Sequence, residues 1–497
     1  MMVRAQYDLT IIGGGSAGLT AAHLAQALGS KVLLIDKERL GGDCLHYGCV
    51  PSKSLIHVAR MAWQRQEDVR LGLIPPYEGV DMARVSAYIQ HVIARVADEE
   101  KAYTEGVTVR YGDVSFISPT RLRLNDEEFS SDKVLIATGS HPAVPAIDGL
   151  QATGYMTNED VFDLTALPAS MIVAGGGPVG VELAQAFGHL GTKVMIIQGP
   201  GRLLPREDPE VSEAIAGILK SEGIEIITNA RVVKTYRGAG TKKVVVANQE
   251  KQMLWLEADE LLLALGREPN IDGGHSDTSR QGTGARSGSE YRGLNLEAAG
   301  VRYSKKGIMV DEYLQTSAAH IFALGDVIGN YQFTHVASYQ AGVAVRNALV
   351  PIFKQKVDYR VVPWCTFTDP EVARVGLTVS DALRQYKYVH VSKLPWAAID
   401  RAQTSGERRG FIKLVMAGKK KEEIVGAHIV GSGAGELLGE IALAMQHHLT
   451  VNDILKTIHP YPTLGTGLQQ VAFAAYLNGP QTERNRKLVS LMSRLRS

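Results

Sequence analysis

The chain has 497 residues, with 53 Lys and Arg against 52 Asp and Glu and a formal net charge of +1, and at roughly 150 residues per domain it holds about three domains. Hydrophobic residues at 45% and charged residues at 21% exclude a disordered chain or a fibre. Balanced charge gives no global reason to expect nucleic acid, and without 18 uninterrupted apolar residues no integral membrane contact is expected, so the chain reads as soluble and cytoplasmic.

The first 36 residues form one unit: an apolar run (Tyr7 to Ile12), the cluster GGGSAG (Gly13 to Gly18), a helix-period stretch to Leu28, and a second apolar run ending at Asp36. This order is strand, turn, helix, strand. It returns at Met171, with glycines at 175, 177 and 180 and a second strand ending at Gln198. The last glycine precedes the strand-end residue by the same 18 positions in both copies, so the chain carries an internal repeat of a nucleotide-binding unit. Gly13 and Gly175 allow the tight turn, Gly15 and Gly177 let a pyrophosphate approach the backbone, and Gly18 and Gly180 let helix pack on strand. Two dinucleotides are expected. Asp36 suits the ribose diol of an unphosphorylated adenosine, whereas Gln198 leaves NADH and NADPH both open, with Arg202 the next candidate for choosing between them.

Between the two copies lies GGDCLHYGCVPSK, Gly41 to Lys53. A staple closing so short a loop would remove only about 2 kcal/mol of denatured-state entropy, so Cys44 and Cys49 are read as redox or metal chemistry rather than a brace. A closed zinc site needs four ligands and Cys365 is the one other thiol, so no metal site is expected. Pro51 and Ser52 mark a helix starting beside Cys49, whose positive end would stabilise a thiolate. Cys49 is then the stabilised thiolate and Cys44, read as lying on the loop, the thiol that meets substrate. Lys53 sits one turn into the helix. Cys365 is read as a small buried hydrophobe.

Further apolar runs ending in glycine, KVLIATG, LLLALG and IFALGD, read as buried strands that open onto a ligand. Gly273 to Gly293 is nearly devoid of apolar residues and reads as a mobile surface insertion. From about Tyr359 alternating strands and a long helical stretch (Glu436 to His448) form a separate module, and the basic, roughly amphipathic tail ERNRKLVSLMSRLRS reads as a solvated terminal helix, with a membrane-surface contact as the alternative.

Taken together, GGGSAG, GGDCLHYGCVPSK, the ATG at 137–139, GGGPVGVE, GREPN at 266–270, ALGDV at 323–327 and TDPEVARVG resemble the motifs of the FAD-dependent pyridine nucleotide-disulfide oxidoreductases, which include dihydrolipoyl dehydrogenase, glutathione reductase and mercuric reductase. The resemblance implies an α/β chain with two Rossmann-like dinucleotide-binding domains and a C-terminal α+β dimerisation domain. The expected division is 1–150 and 294–357 for the FAD-binding domain, 151–272 for the NAD(P)-binding domain, 273–293 for a flexible insertion and 358–497 for dimerisation. It further implies FAD on the first unit with Gly112, Thr138, Gly139 and Asp326 assisting, NAD(P)H on the second with Gly266 nearby, a Lys53–Glu182 pair beside the flavin, and a homodimer.

One motif departs from this pattern. Disulfide-reducing members carry HxHPTxxE, whose second His is the acid-base catalyst and whose Glu orients it; this chain reads HPYPTLGT from His459 to Thr466, placing Tyr461 at the His and Thr466 at the Glu. A Tyr is a poor base at neutral pH. Tyr461 resembles mercuric reductases, yet no Cys follows Cys365 to form their C-terminal pair. His459 is a candidate substitute base, with a structural His the plainer reading. The leading expectation is electron transfer from NAD(P)H through FAD and the Cys44/Cys49 pair to a thiophilic acceptor, a metal ion such as Hg(II) or another oxidant. Alternatives are a dihydrolipoyl dehydrogenase-like enzyme and a slow flavoprotein redox sensor or partner-binding module.

Overall fold

The computed structural model describes residues 6–70, 79–271, 293–419 and 422–496. The expected insertion therefore lies outside the described residues, apart from Gly293.

The first sheet has seven strands. Tyr7–Ile12 lies between Val32–Asp36 and Glu127–Ile136, both parallel to it; Thr108–Tyr111 extends one side, and Ile321–Ala323 joins parallel to Val134–Ile136. These strands read as continuous apolar runs because both faces are covered. On one face Leu9, Ile11 and Leu34 meet two alanine-rich helices, Ser16–Ala27 and Thr334–Leu349, whose Ala17, Ala21, Ala25, Ala337, Ala341 and Ala344 permit close approach. On the other, Ile12, Leu33 and Ile35 pack with Phe116, Phe129, Leu294 and Leu296. Residues after 293 thus return to the sheet that the first 136 begin.

The second unit is a four-stranded parallel sheet, in the order Glu225–Ile227, Lys193–Ile197, Ser170–Ala174, Glu260–Leu263, flanked by an antiparallel sheet of Ala230–Arg237, Lys242–Asn248 and Met253–Ala258. Its second strand stops at Ile197, one residue before Gln198. The glycine turns of the two units superpose bond for bond. Gly13 and Gly175 donate to the carbonyls of Ile35 and Ile197, each at 2.8 Å, with φ of 106° and 119°. A Cβ on Gly18 would lie 1.8 Å from the Gly13 carbonyl oxygen, and one on Gly180 1.9 Å from that of Gly175. No side chain fits there.

The C-terminal module is an antiparallel sheet in the order Pro363–Thr366, Glu371–Gly376, Glu423–Gly431, Phe411–Ala417, Val389–Pro395. Helices Ala434–Gln446 and Thr466–Asn478 bury Leu438, Ile441, Leu468 and Val471 against Ile412, Leu414 and Ile429. The tail is a helix, Pro480–Arg496.

Candidate active site

The dithiol segment folds onto the first glycine turn. Gly41 and Gly42 adopt φ of 100° and 60°, and a Cβ on Gly42 would come within 2.8 Å of the Gly15 Cα, so glycine faces glycine where the two loops cross. Cys44 lies in the short helix Gly42–His46 rather than on an open loop, because its backbone turns at once after the glycine pair. Cys49 is the first residue of the helix Cys49–Arg70; Pro51, in its first turn, needs no intrahelical N–H partner.

Both thiols are free. Cys44 donates to the Cys49 sulfur, the largest influence holding Cys49 well below an ordinary thiol, down to about 6, against the opposing effect of burial. The Thr334 hydroxyl, 3.6 Å from Cys49 Sγ, and the Lys53 ammonium lower it further. Cys44, as the donor, is pushed far above the usual thiol range, and burial adds to this. At neutral pH the pair is one thiolate and one thiol. Lys53 Nζ lies 2.9 Å from Glu182 Oε2 and 4.5 Å from the Phe367 ring centroid, while Glu182 Oε1 accepts the Phe367 N–H at 2.8 Å. Burial opposes the Lys53 charge, yet the Glu182 carboxylate outweighs it and holds Lys53 above its ordinary value. The helix that begins at the second glycine turn supplies Glu182 one turn in.

A cavity of about 740 Å³ runs from Gly13, Gly15 and Asp36 past Thr138, Gly139 and Asp326 to Cys44, Cys49, Lys53 and Glu182. Its volume lies in the range of cofactor sites. The wall fits FAD. Gly15 leaves the turn bare of side chain, and Asp36 Oδ2 is held by the Gly14 N–H at 2.7 Å at the strand end. The Asp326 carboxylate is raised in pKa by burial and accepts from Ser140 at 2.6 Å. In the second unit Gly176 N–H donates to Gln198 Oε1 at 2.8 Å, the counterpart of Gly14 and Asp36, and nothing lies within 4 Å of a Cβ built on Gly177. That open backbone fits the pyrophosphate of NAD(P)H.

Several expected residues lie off this cavity. Gly112 donates to the Asp36 carbonyl and buttresses that strand end. Arg202 donates to the carbonyls of Pro205 and Glu207, closing its own loop, while its carbonyl accepts from Gln198. Gly266, at φ 112°, accepts from Ala143 N–H. Tyr461 is 73% exposed and donates to Asp400 at 3.0 Å, which holds its proton more tightly than in a free phenol. His459 has one ring nitrogen on the Thr457 carbonyl at 2.9 Å and the other on Glu440 at 3.1 Å. Both ring nitrogens are thus engaged within its own chain. Neither His459 nor Tyr461 lines the cavity that holds the thiols. Cys365 packs at the edge of the C-terminal core, its thiol raised by burial.

Sequence reading missed three contributors. Thr334 starts the helix Thr334–Leu349, 285 positions from Cys49. Arg267 donates to Ser140 at 2.8 Å and pairs with Asp43 at 3.0 Å, tying the GREPN segment to the residue before Cys44. Ser140 bridges Arg267 and Asp326. The GREPN and ATG motifs bracketed two of them, but only through their glycines.

Residues 7–341 match the family described as pyridine nucleotide-disulphide oxidoreductase, and residues 362–472 match its dimerisation domain. The chain belongs to this family. It is an FAD- and NAD(P)H-dependent oxidoreductase of mixed α/β fold, and the matched dimerisation domain supports a homodimer. Among its relatives is a mercuric reductase of Staphylococcus aureus, 36% identical over 94% of this chain and 82% of the relative. A dihydrolipoyl dehydrogenase of Bacillus subtilis (strain 168) is 32% identical over 95% of this chain and 98% of the relative. The structure is similar to the Cu(II) complex of the HOCl-induced flavoprotein disulfide reductase RclA from Escherichia coli, with a TM-score of 0.80 and 29% identity, covering 93% of this chain and 99% of that one. Among the described residues no helix is long and apolar enough to cross a membrane.

Proposed function

We propose that this family member passes electrons from NAD(P)H to a thiophilic acceptor, a soft metal ion such as Hg(II) or another oxidant, with Cys44 as the thiol that meets the acceptor. The observation that carries this reading is a dithiol in which Cys44 donates to a stabilised Cys49 thiolate, in a chain that has Tyr461 and Thr466 where disulfide-reducing members carry the catalytic His and Glu. Reducing a disulfide requires a proton for the departing thiolate, and a positioned acid is worth about 10² to 10⁴ in rate. A soft metal ion requires none, because it binds thiolate directly and displaces the remaining proton. Cys49 is already deprotonated at neutral pH, Cys44 carries the proton to be displaced, and His459 is occupied elsewhere. Likeness to mercuric reductases and to a protein solved as a Cu(II) complex supports the same acceptor class.

Gly13, Gly15 and Gly18 with Asp36, Thr138, Gly139 and Asp326 would hold FAD, and Gly175, Gly177, Gly180 and Gln198 would hold NAD(P)H. FAD, when bound, supplies the conversion between hydride on nicotinamide and an electron pair on the dithiol. Lys53 and Glu182 neutralise each other at the inner end of the cavity and set the field in which Cys49 ionises. Cys44 Sγ receives the acceptor.

The test is an acceptor screen on the purified flavoprotein with NADH and NADPH. Steady turnover with Hg(II) or Cu(II), abolished by Cys44→Ser, with weak turnover of lipoamide and glutathione disulfide, is the expected result. Lipoamide turnover equal to that of a dyad-bearing relative overturns the reading.

A further inference from the structure

The helix Pro480–Arg496 lies beyond residue 472, where the match to the dimerisation domain ends. Its ties to the body are at its beginning: Thr482 donates to the Tyr476 carbonyl and Asn485 to the Tyr476 hydroxyl. Past that point the side chains sort by chemistry. Leu488, Leu491, Met492 and Leu495 recur at the spacing that places them along one helical stripe, with Val489 at its border, and all five are 48% to 75% exposed. Five large apolar side chains exposed in succession are an unburied surface, not scattered surface residues.

The charge on this helix is one-sided as well. Arg484, Arg486, Lys487 and Arg494 are all exposed, and Glu483, the one acidic residue of the segment, is paired with Lys487 at 2.7 Å. The rest of the chain balances to near neutrality, so this is a local excess of positive charge. Turning the helix at 100° per residue places Lys487 and Arg494 together along one flank of the apolar stripe. A second copy of the same helix would set these cations against their own kind. An anionic bilayer surface satisfies both features at once: acyl chains receive the leucines and headgroup phosphates receive the flanking cations. Seventeen helical residues span about 25 Å, and so basic a helix lies in the interface plane rather than across it.

We propose that this C-terminal helix docks the enzyme on anionic lipid surfaces, apolar stripe inward. The inference is independent of the electron acceptor. It is tested with the full-length flavoprotein and flotation on vesicles of phosphatidylcholine alone or with about 30% phosphatidylglycerol. The expected result is recovery with the anionic vesicles only, falling steeply as salt rises from about 0.1 to about 0.5 M. The double variant Lys487→Gln, Arg494→Gln should partition about 25-fold more weakly, at roughly fivefold per cation removed. The double variant Leu491→Glu, Leu495→Glu should lose binding at least about tenfold. Both should keep wild-type mass by light scattering and wild-type NAD(P)H oxidation in solution. Absence of wild-type binding, equal recovery on neutral vesicles, or conversion of the leucine variant to monomer would each overturn the proposal, the last by assigning the stripe to a second copy of the chain.

Discussion

Removing the Cys44 thiol tests its hold on Cys49 directly. In the structure its donation to the Cys49 sulfur is the largest influence holding Cys49 near 6, ahead of Thr334 and Lys53. A hydrogen bond to a charged group is worth about 1.5 to 3 kcal/mol, which at 1.36 kcal/mol per pKa unit corresponds to about one to two units. Cys44→Ala should therefore raise the Cys49 midpoint to about 7 to 8. The assay is the pH dependence of iodoacetamide alkylation of the reduced protein, with the modified residue identified by mass spectrometry. The rate at a single pH would mislead: at pH 6.5 the thiolate fraction falls roughly eightfold for a shift of about 1.5 units, but the more basic thiolate is intrinsically about fivefold more nucleophilic. The midpoint carries the information. Cys44→Ser, which keeps a donor, should stay near the wild-type midpoint. A wild-type midpoint near 9, or a Cys44→Ala midpoint unchanged from wild type, refutes the reasoning; the second outcome would assign the shift to Thr334, Lys53 and the helix end.

Glu182→Leu leaves Lys53 beside an apolar group and the Phe367 N–H unpaired, so a loss of about 2 to 4 kcal/mol in denaturant unfolding is expected, discounted because Lys53 is partly solvated; Glu182→Gln, which still accepts from Phe367, should lose less, and equal losses would show that the amide contact is not kept. Gln198→Glu retains the bond from Gly176 but turns a carboxylate toward the Arg202 carbonyl. Its ratio of NADH to NADPH kcat/KM should rise about tenfold through repulsion of a 2'-phosphate, and an unchanged ratio would place discrimination at another residue. Tyr461→His with Thr466→Glu should raise lipoamide turnover by about 10² or more, with each single change giving less than its share because the carboxylate helps only when an imidazole is present. Unaltered lipoamide turnover in the double variant would mean that the missing dyad does not limit disulfide reduction.

The two glycine turns were legible because everything that shapes them is local: a strand, a turn that admits no Cβ at Gly18 or Gly180, and a strand end 18 positions on. The sequence equally determined that Cys49 opens a helix, since Pro51 and Ser52 mark the start within three residues. It did not show that Cys44 lies in a short helix, because the left-handed glycine pair before it, crossing the Gly15 turn, decides where the chain turns next. Nor did it reveal Thr334 beside Cys49, Arg267 on Asp43, or the Phe367 amide on Glu182, contacts that span from 185 to 285 positions of sequence. Hydrophobic period reports which face of an element is buried, not which distant element covers it. The same limit applied to His459: its spacing left it open as a substitute base, and only the approach of the Ala434–Gln446 helix, which brings Glu440 against its ring, shows what that ring contacts within its own chain.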